Sequence, residues 1–392
     1  MTLQRSLSEA ERLISAALPG RVCFLINSME GGGAERAMAN LISLVLPSLG
    51  AERVELLLLD DFPCEQTLPQ GLRVTKLTGN GKTLRSLREL NKHWSKSTNR
   101  PDVCVSFLAR ANILNVVLAR RFGHKAIISE RVNTSSHIAA SRAEPILARV
   151  IRAVYPRADR VVAVSEGVKE DLVTRFGVSR QSIVVIGNPV NADQLSTLAK
   201  EEPAVSLPKD FFVGVGRLVP NKNFSLLLDA YAQSGTASSL VLLGQGSELD
   251  SLRDQARQLG ILDRVIFAGF VRNPYPVVAR ARALVAASRA EGFPNTLIEA
   301  ISLGCPVIAT DCPSGPADVL GGRPARMDPW PDDAHGLLIP MEDRDAMANA
   351  ISKLGDDAVR NNYAAKATSR AKKYGVTAAK SAYLDLLANV AE

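Results

Sequence analysis

The amino-acid sequence predicts an α/β protein built from two doubly wound parallel sheets, one after the other, facing each other across a cleft. Three observations carry this. Short continuous apolar runs alternate with segments of helical length, the pattern of strands buried on both faces. The rhythm breaks once, shortly before residue 210, and then restarts. The chain has 392 residues, more than one ordinary core holds.

Leu3, Leu7, Leu13 and Ile14 punctuate a mixed-charge opening and predict a short leading helix. Strands are expected in the apolar runs at 21–27, 53–60, 102–107, 125–130, 160–165 and 183–188. The stretch that follows is rich in Ala, Glu, Ser and Pro. It reads as a linker, 193–208, between a first domain at 1–192 and a second at 209–375. Strands resume at 211–216, 239–244, 264–269, 283–288, 306–311 and 336–340. From residue 343 the pattern is helical with basic faces, and 376–392 is expected to form a C-terminal helix returning to the first domain.

Composition narrows the function classes. The excess of 47 Lys and Arg over 40 Asp and Glu gives +7 and favours anionic partners. Aromatics make up only 5% of the chain and form no stacking platform, so nucleic acid is not an expected partner. The five cysteines, Cys23, Cys64, Cys104, Cys305 and Cys312, are odd in number and widely spread, and the four histidines are scattered. Neither a disulfide framework nor a metal site is expected. Glu9 and Glu11 interrupt the first eighteen residues, which do not read as a secretory signal, and no apolar run is long enough to span a bilayer. The expected location is the cytoplasm, with the inner face of the plasma membrane as a place of attachment.

In the first half, the run 22–26 leads into Ser28-Met29-Glu30-Gly31-Gly32-Gly33-Ala34-Glu35-Arg36. Glycines at a strand-to-helix turn let a phosphate or hydroxyl approach the backbone; a tight turn without a ligand is the plain alternative. The contiguous spacing is not the G-x-G-x-x-G of dinucleotide sites. Between 84 and 100, Leu84, Leu87, Leu90 and Trp94 share a helical face while Arg85, Arg88, Lys92, Lys96 and Arg100 occupy the others. Such a segment packs on its own sheet or lies on an anionic membrane surface. Ser129-Glu130-Arg131-Val132-Asn133-Thr134 ends a strand at the edge where ligands of open α/β sheets bind, and Glu130 and Arg131 are candidate acceptor-side residues.

In the second half, the run 211–216 ends in Arg217, and Lys222 follows across a Pro220-Asn221 turn. A forked and a mobile cation at a strand's carboxyl end suit a diphosphate. Ser288-Arg289-Ala290-Glu291-Gly292-Phe293-Pro294-Asn295-Thr296-Leu297-Ile298-Glu299 supplies the rest. Pro294 fits the first position of a helix and Gly304 its end, so the amides of a helix at 295–303 would meet phosphate. Glu291 in the loop and Glu299 in the helix would repel that phosphate unless they face hydroxyls, as on a sugar and a ribose.

These residues resemble the retaining, nucleotide-sugar-dependent glycosyltransferases of the GT-B fold, glycosyltransferase family four, whose two domains are Rossmann-like. The resemblance covers nearly the whole chain. It rests on the glycine-rich Gly31 to Arg36 stretch, Gly216-Arg217 with Lys222-Asn223, Gly244-Gln245-Gly246, Phe267-Ala268-Gly269-Phe270-Val271, and Glu291 with Glu299 seven residues on. It implies that Arg217 and Lys222 hold the donor diphosphate, that Glu291 contacts the transferred sugar and that Glu299 contacts the ribose. It also implies that the backbone of Phe293, Pro294, Asn295 and Thr296 borders the phosphate or sugar, that the backbone near Val271 meets the base, and that Gly32 and Gly33 close on the donor. Many relatives have a histidine where this chain has Ser129-Glu130-Arg131, so no catalytic histidine is assigned.

The expected activity is transfer of a hexose or N-acetylhexosamine, with retention, from a nucleotide-diphosphate sugar to a glycan or polyprenol-linked acceptor, with no cofactor required. The competing readings are a nucleotide-sugar epimerase on the same fold, a glycoside hydrolase using the paired carboxylates, and a two-domain solute-binding protein.

Overall fold

The computed structural model describes residues 18–391 apart from 97, 99, 140–143 and 322–333. The leading helix expected at 3–14 lies outside them. The described chain divides into two units, 18–188 with 376–391, and 189–375.

The first unit holds seven parallel strands: β1 (Val22–Ile26), β2 (Val54–Leu58), β3 (Arg73–Lys76), β4 (Val103–Phe107), β5 (Lys125–Glu130), β6 (Arg160–Ala163) and β7 (Ile183–Val185). Their order across the sheet is β3-β2-β1-β4-β5-β6-β7, so the winding reverses between β1 and β4. Successive side chains of β1 enter different cores because a strand turns alternate residues to opposite faces. Phe24 and Ile26 pack with the helix Gly33–Leu49 and with Tyr383 and Leu387 of the last helix, Val376–Ala391. Cys23 and Leu25 pack on the other face with Leu90, Trp94 and Cys104.

That second core settles how the basic segment packs. It forms the helix Thr83–Ser95, whose Leu90 and Trp94 are fully buried, the indole edge-on to Phe122 and His124. Of its apolar stripe only Leu84 is well exposed, beside the exposed Arg85, Arg88 and Lys92.

The second unit repeats the plan with six parallel strands: β8 (Phe211–Val215), β9 (Ser239–Leu243), β10 (Val265–Gly269), β11 (Leu284–Ala286), β12 (Val307–Thr310) and β13 (Leu337–Ile339). The order is β10-β9-β8-β11-β12-β13, and the winding reverses between β8 and β11. The fold is thus two Rossmann-like α/β sheets, each with helices on both faces.

Two elements differ from the sequence expectation. β3 is a four-residue edge strand with three exposed positions, so it needs no apolar run; it is held to β2 by Arg73 and Thr75 on the buried Glu55, at 3.0 and 2.6 Å. The stretch read as a linker begins as a helix, Ala192–Leu198, capped by the Asn191 side chain accepting from the Gln194 amide at 3.1 Å. Its one buried apolar residue, Leu195, is too little for a periodic signal, and Asn273 fixes its end by donating to the Leu198 carbonyl and the Glu201 carboxylate.

Candidate active site

Three neighbouring strands of the second unit, β8, β11 and β12, end in loops that are cross-tied at their carboxyl edge. The loop after β8 turns at Pro220–Lys222 into Asn223, a left-handed residue (φ 51°), before the helix Phe224–Ser234. Close packing with the loop after β9 requires glycine at 244, where a Cβ would lie 1.8 Å from the Gly216 carbonyl oxygen.

The loop after β11 lies against the β8 loop. The Arg289 amide donates to the Asn221 carbonyl, and the Asn221 side chain donates to the Ala290 carbonyl, each at 2.9 Å. The Arg289 guanidinium donates to the Pro220 carbonyl at 2.6 Å and pairs with Glu342 at 2.7 Å, while Asn223 donates to the same carboxylate. Arg289 holds the Glu342 carboxyl below its usual range. These ties bring Lys222 and Glu291 into a direct ion pair, Nζ on Oε1, with side chains 25% and 15% exposed.

Arg217, five residues before Lys222, is exposed, and its side chain has no partner among the described residues. Behind Glu291 the chain enters the helix Asn295–Ser302, one residue later than a first-position Pro294 would give, because Pro294 is itself the cap. Pro294 has no side-chain acceptor and so places no side-chain cap on this helix start, the kind of helix end that suits an anion. Phe293 is buried edge-on to Tyr374, at 5.6 Å between ring centroids, which fixes the loop from below. Asn295, Thr296 and Glu299 are partly buried on the helix, and Val271 is partly buried just beyond β10, next to the exposed Phe270. The structure therefore gathers Arg217, Lys222, Glu291 and the amides near 293–296 at one sheet edge. Residues 289 and 342 of the brace carry no pattern beyond ordinary surface charge, and only the ties across the fold reveal them.

The chain matches two family models in tandem: Glycosyl transferase 4-like domain over residues 32–189, and Glycosyl transferases group 1 over residues 196–374. It is 32% identical, over 89% of its length and 94% of the relative's, to the N-acetylgalactosamine-N,N'-diacetylbacillosaminyl-diphospho-undecaprenol 4-alpha-N-acetylgalactosaminyltransferase of Campylobacter jejuni. The chain is a group 1 glycosyltransferase. A second relative, the lipopolysaccharide 1,6-galactosyltransferase of Escherichia coli, is 37% identical over 42% of this chain and 46% of its own. Among solved structures, Anabaena HepE in complex with UDP shares the GT-B fold at a TM-score of 0.77 and 21% identity, over 94% of this chain and all of that one. The apo form of the outer core galactosyltransferase WaaB does so at 0.71 and 21%, over 93% and 98%.

The glycosyltransferase's first unit has a different kind of edge. Gly32 caps the helix Gly33–Leu49, and a Cβ on Gly32 would lie 2.0 Å from a Glu35 carboxylate oxygen. Burial, and then the charge of Glu30, push the Glu35 carboxyl above its ordinary range.

The expected acceptor-side pair is turned inward. Glu130 is 3% exposed and accepts from the Tyr155 hydroxyl, from Asn112 Nδ2 at 2.9 Å and from Thr134 Oγ1 at 3.3 Å. Arg131 lies over the Phe107 ring at 4.8 Å, with Ser129 and the Tyr383 hydroxyl beside it. Donors waiting at the end of β5 draw the Glu130 carboxylate into the protein. Among the described residues no group of three or more His, Cys, Asp or Glu is placed to hold a metal.

Proposed function

We propose that this group 1 glycosyltransferase moves an N-acetylhexosamine or hexose from a nucleotide-diphosphate sugar to a hydroxyl of a lipid-linked glycan, with retention, in the synthesis of a bacterial envelope polysaccharide. The observation that carries the reading is the Lys222–Glu291 ion pair beside the uncapped amide end of the helix Asn295–Ser302. A cation, amides and a carboxylate at one edge match two parts of such a donor: phosphates that need positive charge and N–H donors, and hydroxyls that need an acceptor. UDP is the proposed carrier, because HepE was captured with UDP and with UDP-glucose. The acceptor is proposed from the C. jejuni relatives, both named for N-acetylgalactosamine transfer to undecaprenol-linked glycans with α products.

In the free enzyme Lys222 and Glu291 neutralise each other. A bound donor separates them: Lys222 and Arg217 turn to the diphosphate and Glu291 accepts from the sugar's hydroxyls. As the anomeric bond to the diphosphate oxygen breaks, the electron pair leaves with the diphosphate, where the two cations and the helix amides stabilise it. The acceptor oxygen bonds to the anomeric carbon and its proton passes to the departing phosphate oxygen. Val271 is proposed to border the base, Glu299 the ribose, and Gly32 with Gly33 the donor. No helix among the described residues is long and apolar enough to cross a membrane. The proposed workplace is the cytoplasmic face of the plasma membrane, where the exposed Arg85, Arg88 and Lys92 are available to anionic lipid.

A screen of UDP-sugars with polyprenol-diphosphate-linked acceptors, read as acceptor-dependent UDP release and product anomer by NMR, tests this. An α-linked product is expected from an α-linked donor, and Glu291→Ala should cut transfer by about 10²-fold with the fold intact. A β product overturns retention. Wild-type turnover in Glu291→Ala overturns the site.

A further inference from the structure

The end of β12 and the loop after it, residues 310–316, touch the β11 loop at three points that the proposed chemistry does not use. Thr310 Oγ1 at the end of β12 donates to the Ser288 carbonyl at 2.6 Å. Ser314 Oγ donates to the carbonyl of Glu291 itself at 2.7 Å, sharing its hydrogen with the Pro313 carbonyl. Gly315, at φ 103°, lies so close that a Cβ would come 2.5 Å from Pro294 Cδ. Ser314 makes its contact from φ 69°, a left-handed conformation that costs a non-glycine residue about 1 kcal/mol or more and persists only where its surroundings impose it. It is 9% exposed.

We infer that Ser314 is a positioning residue for the transfer step. Its hydroxyl fixes the Glu291 main chain so that the carboxylate is presented at the Lys222 edge. This rests on the reading of Glu291 as the group that meets the transferred sugar. Among the described residues the Glu291 side chain is tied only by Lys222, a long cation that the donor diphosphate draws away. Once that tie is released, the main-chain anchor is what still holds the carboxylate in register. Displacing a catalytic group by about 1 Å costs up to roughly 10²-fold, so losing one of several anchors should cost less. Thr310 acts on the same loop three residues earlier and leaves Glu291 free to swing; Ser314 acts on Glu291 directly.

Ser314→Ala and Ser314→Gly are compared, alone and with Glu291→Ala, for kcat and donor KM and for the unfolding midpoint. Glycine relieves the left-handed strain and keeps the fold, so it separates the hydroxyl from the backbone. Both single variants should lose about 10-fold in kcat with donor KM within about twofold, and neither should add to the loss already present in Glu291→Ala. A Ser314→Gly enzyme at wild-type kcat, or a Ser314 loss that multiplies with that of Glu291→Ala, overturns the inference alone. Wild-type turnover in Glu291→Ala overturns the site reading and this inference with it.

Discussion

The ends of β5 and β11 lie at the carboxyl edges of their sheets, β11 next to the strand where the winding reverses and β5 one strand further along, and each carries a glutamate within two residues of an arginine. Their fates are opposite. After β5, Glu130 is drawn into a network of Tyr155, Asn112 and Thr134. After β11, Glu291 stays partly exposed and its partner is a flexible lysine, while Arg289 ties the loop to Pro220 and Glu342. The neighbours decide. Neutral donors fixed in the core satisfy a carboxylate permanently, whereas a mobile cation at the rim satisfies it only until something more anionic arrives. On the proposed reading, one edge is built for stability and the other for exchange of partners.

The largest effect that this contrast predicts lies in the first unit's buried polar core, next to the Glu130 network. His124, 4% exposed, meets Asn115 Oδ1 at 3.0 Å and the Trp94 ring, and burial pushes its imidazole down from 6.5 to about 4. A depressed folded pKa means that the unfolded chain binds the proton more readily. The contribution is complete above pH 6.5 and is lost as pH falls towards 4. A shift of this size is worth about 3 kcal/mol. Denaturant unfolding of wild type and His124→Asn across pH 7 to 4 should show the extra acid sensitivity in the wild type alone. Parallel curves would mean that the histidine is not held neutral by the core.

At the exchanging edge the effect should be on rate. Lys222→Ala removes the cation that faces both Glu291 and the proposed diphosphate. Transfer should fall about 10²-fold, near 2.7 kcal/mol of barrier, while the unfolding free energy moves by under about 1 kcal/mol because the pair is partly solvated. A variant that loses stability rather than turnover would show that this edge, too, is structural.

How much of this was legible beforehand follows from the same physics. Each of the twelve apolar runs contains a strand because burial on both faces leaves a continuous signature. The edge strand β3 was missed because an edge can be polar. The cations after β8, and the carboxylate and helix start after β11, are each a local pattern readable along the chain, and the structure brings Lys222 and Glu291 into contact across 69 residues. The direction in which Glu130 points depends on Tyr155, 25 residues away, and on Asn112, 18 away, which no local pattern reports. Arg289 with Glu342 is likewise a pair 53 residues apart.

Glu130 offers the finest test of the contrast. Its burial pushes the carboxyl above its ordinary range, against the hydrogen bonds that favour the charged form. A raised folded pKa makes the stabilising contribution complete below the unfolded value and lost as pH rises through the folded one. Holding the charge at neutral pH therefore costs the fold something. Glutamine keeps an acceptor for Tyr155 and Asn112, and the Thr134 hydroxyl can accept from its amide. Glu130→Gln should match or exceed wild-type stability at pH 7 by up to about 1 kcal/mol, lose the wild type's gain on mild acidification, and transfer at a near-normal rate. A stable Glu130→Gln enzyme whose transfer has collapsed would instead make this buried carboxylate a participant in acceptor chemistry, and the two edges would no longer divide the work between folding and turnover.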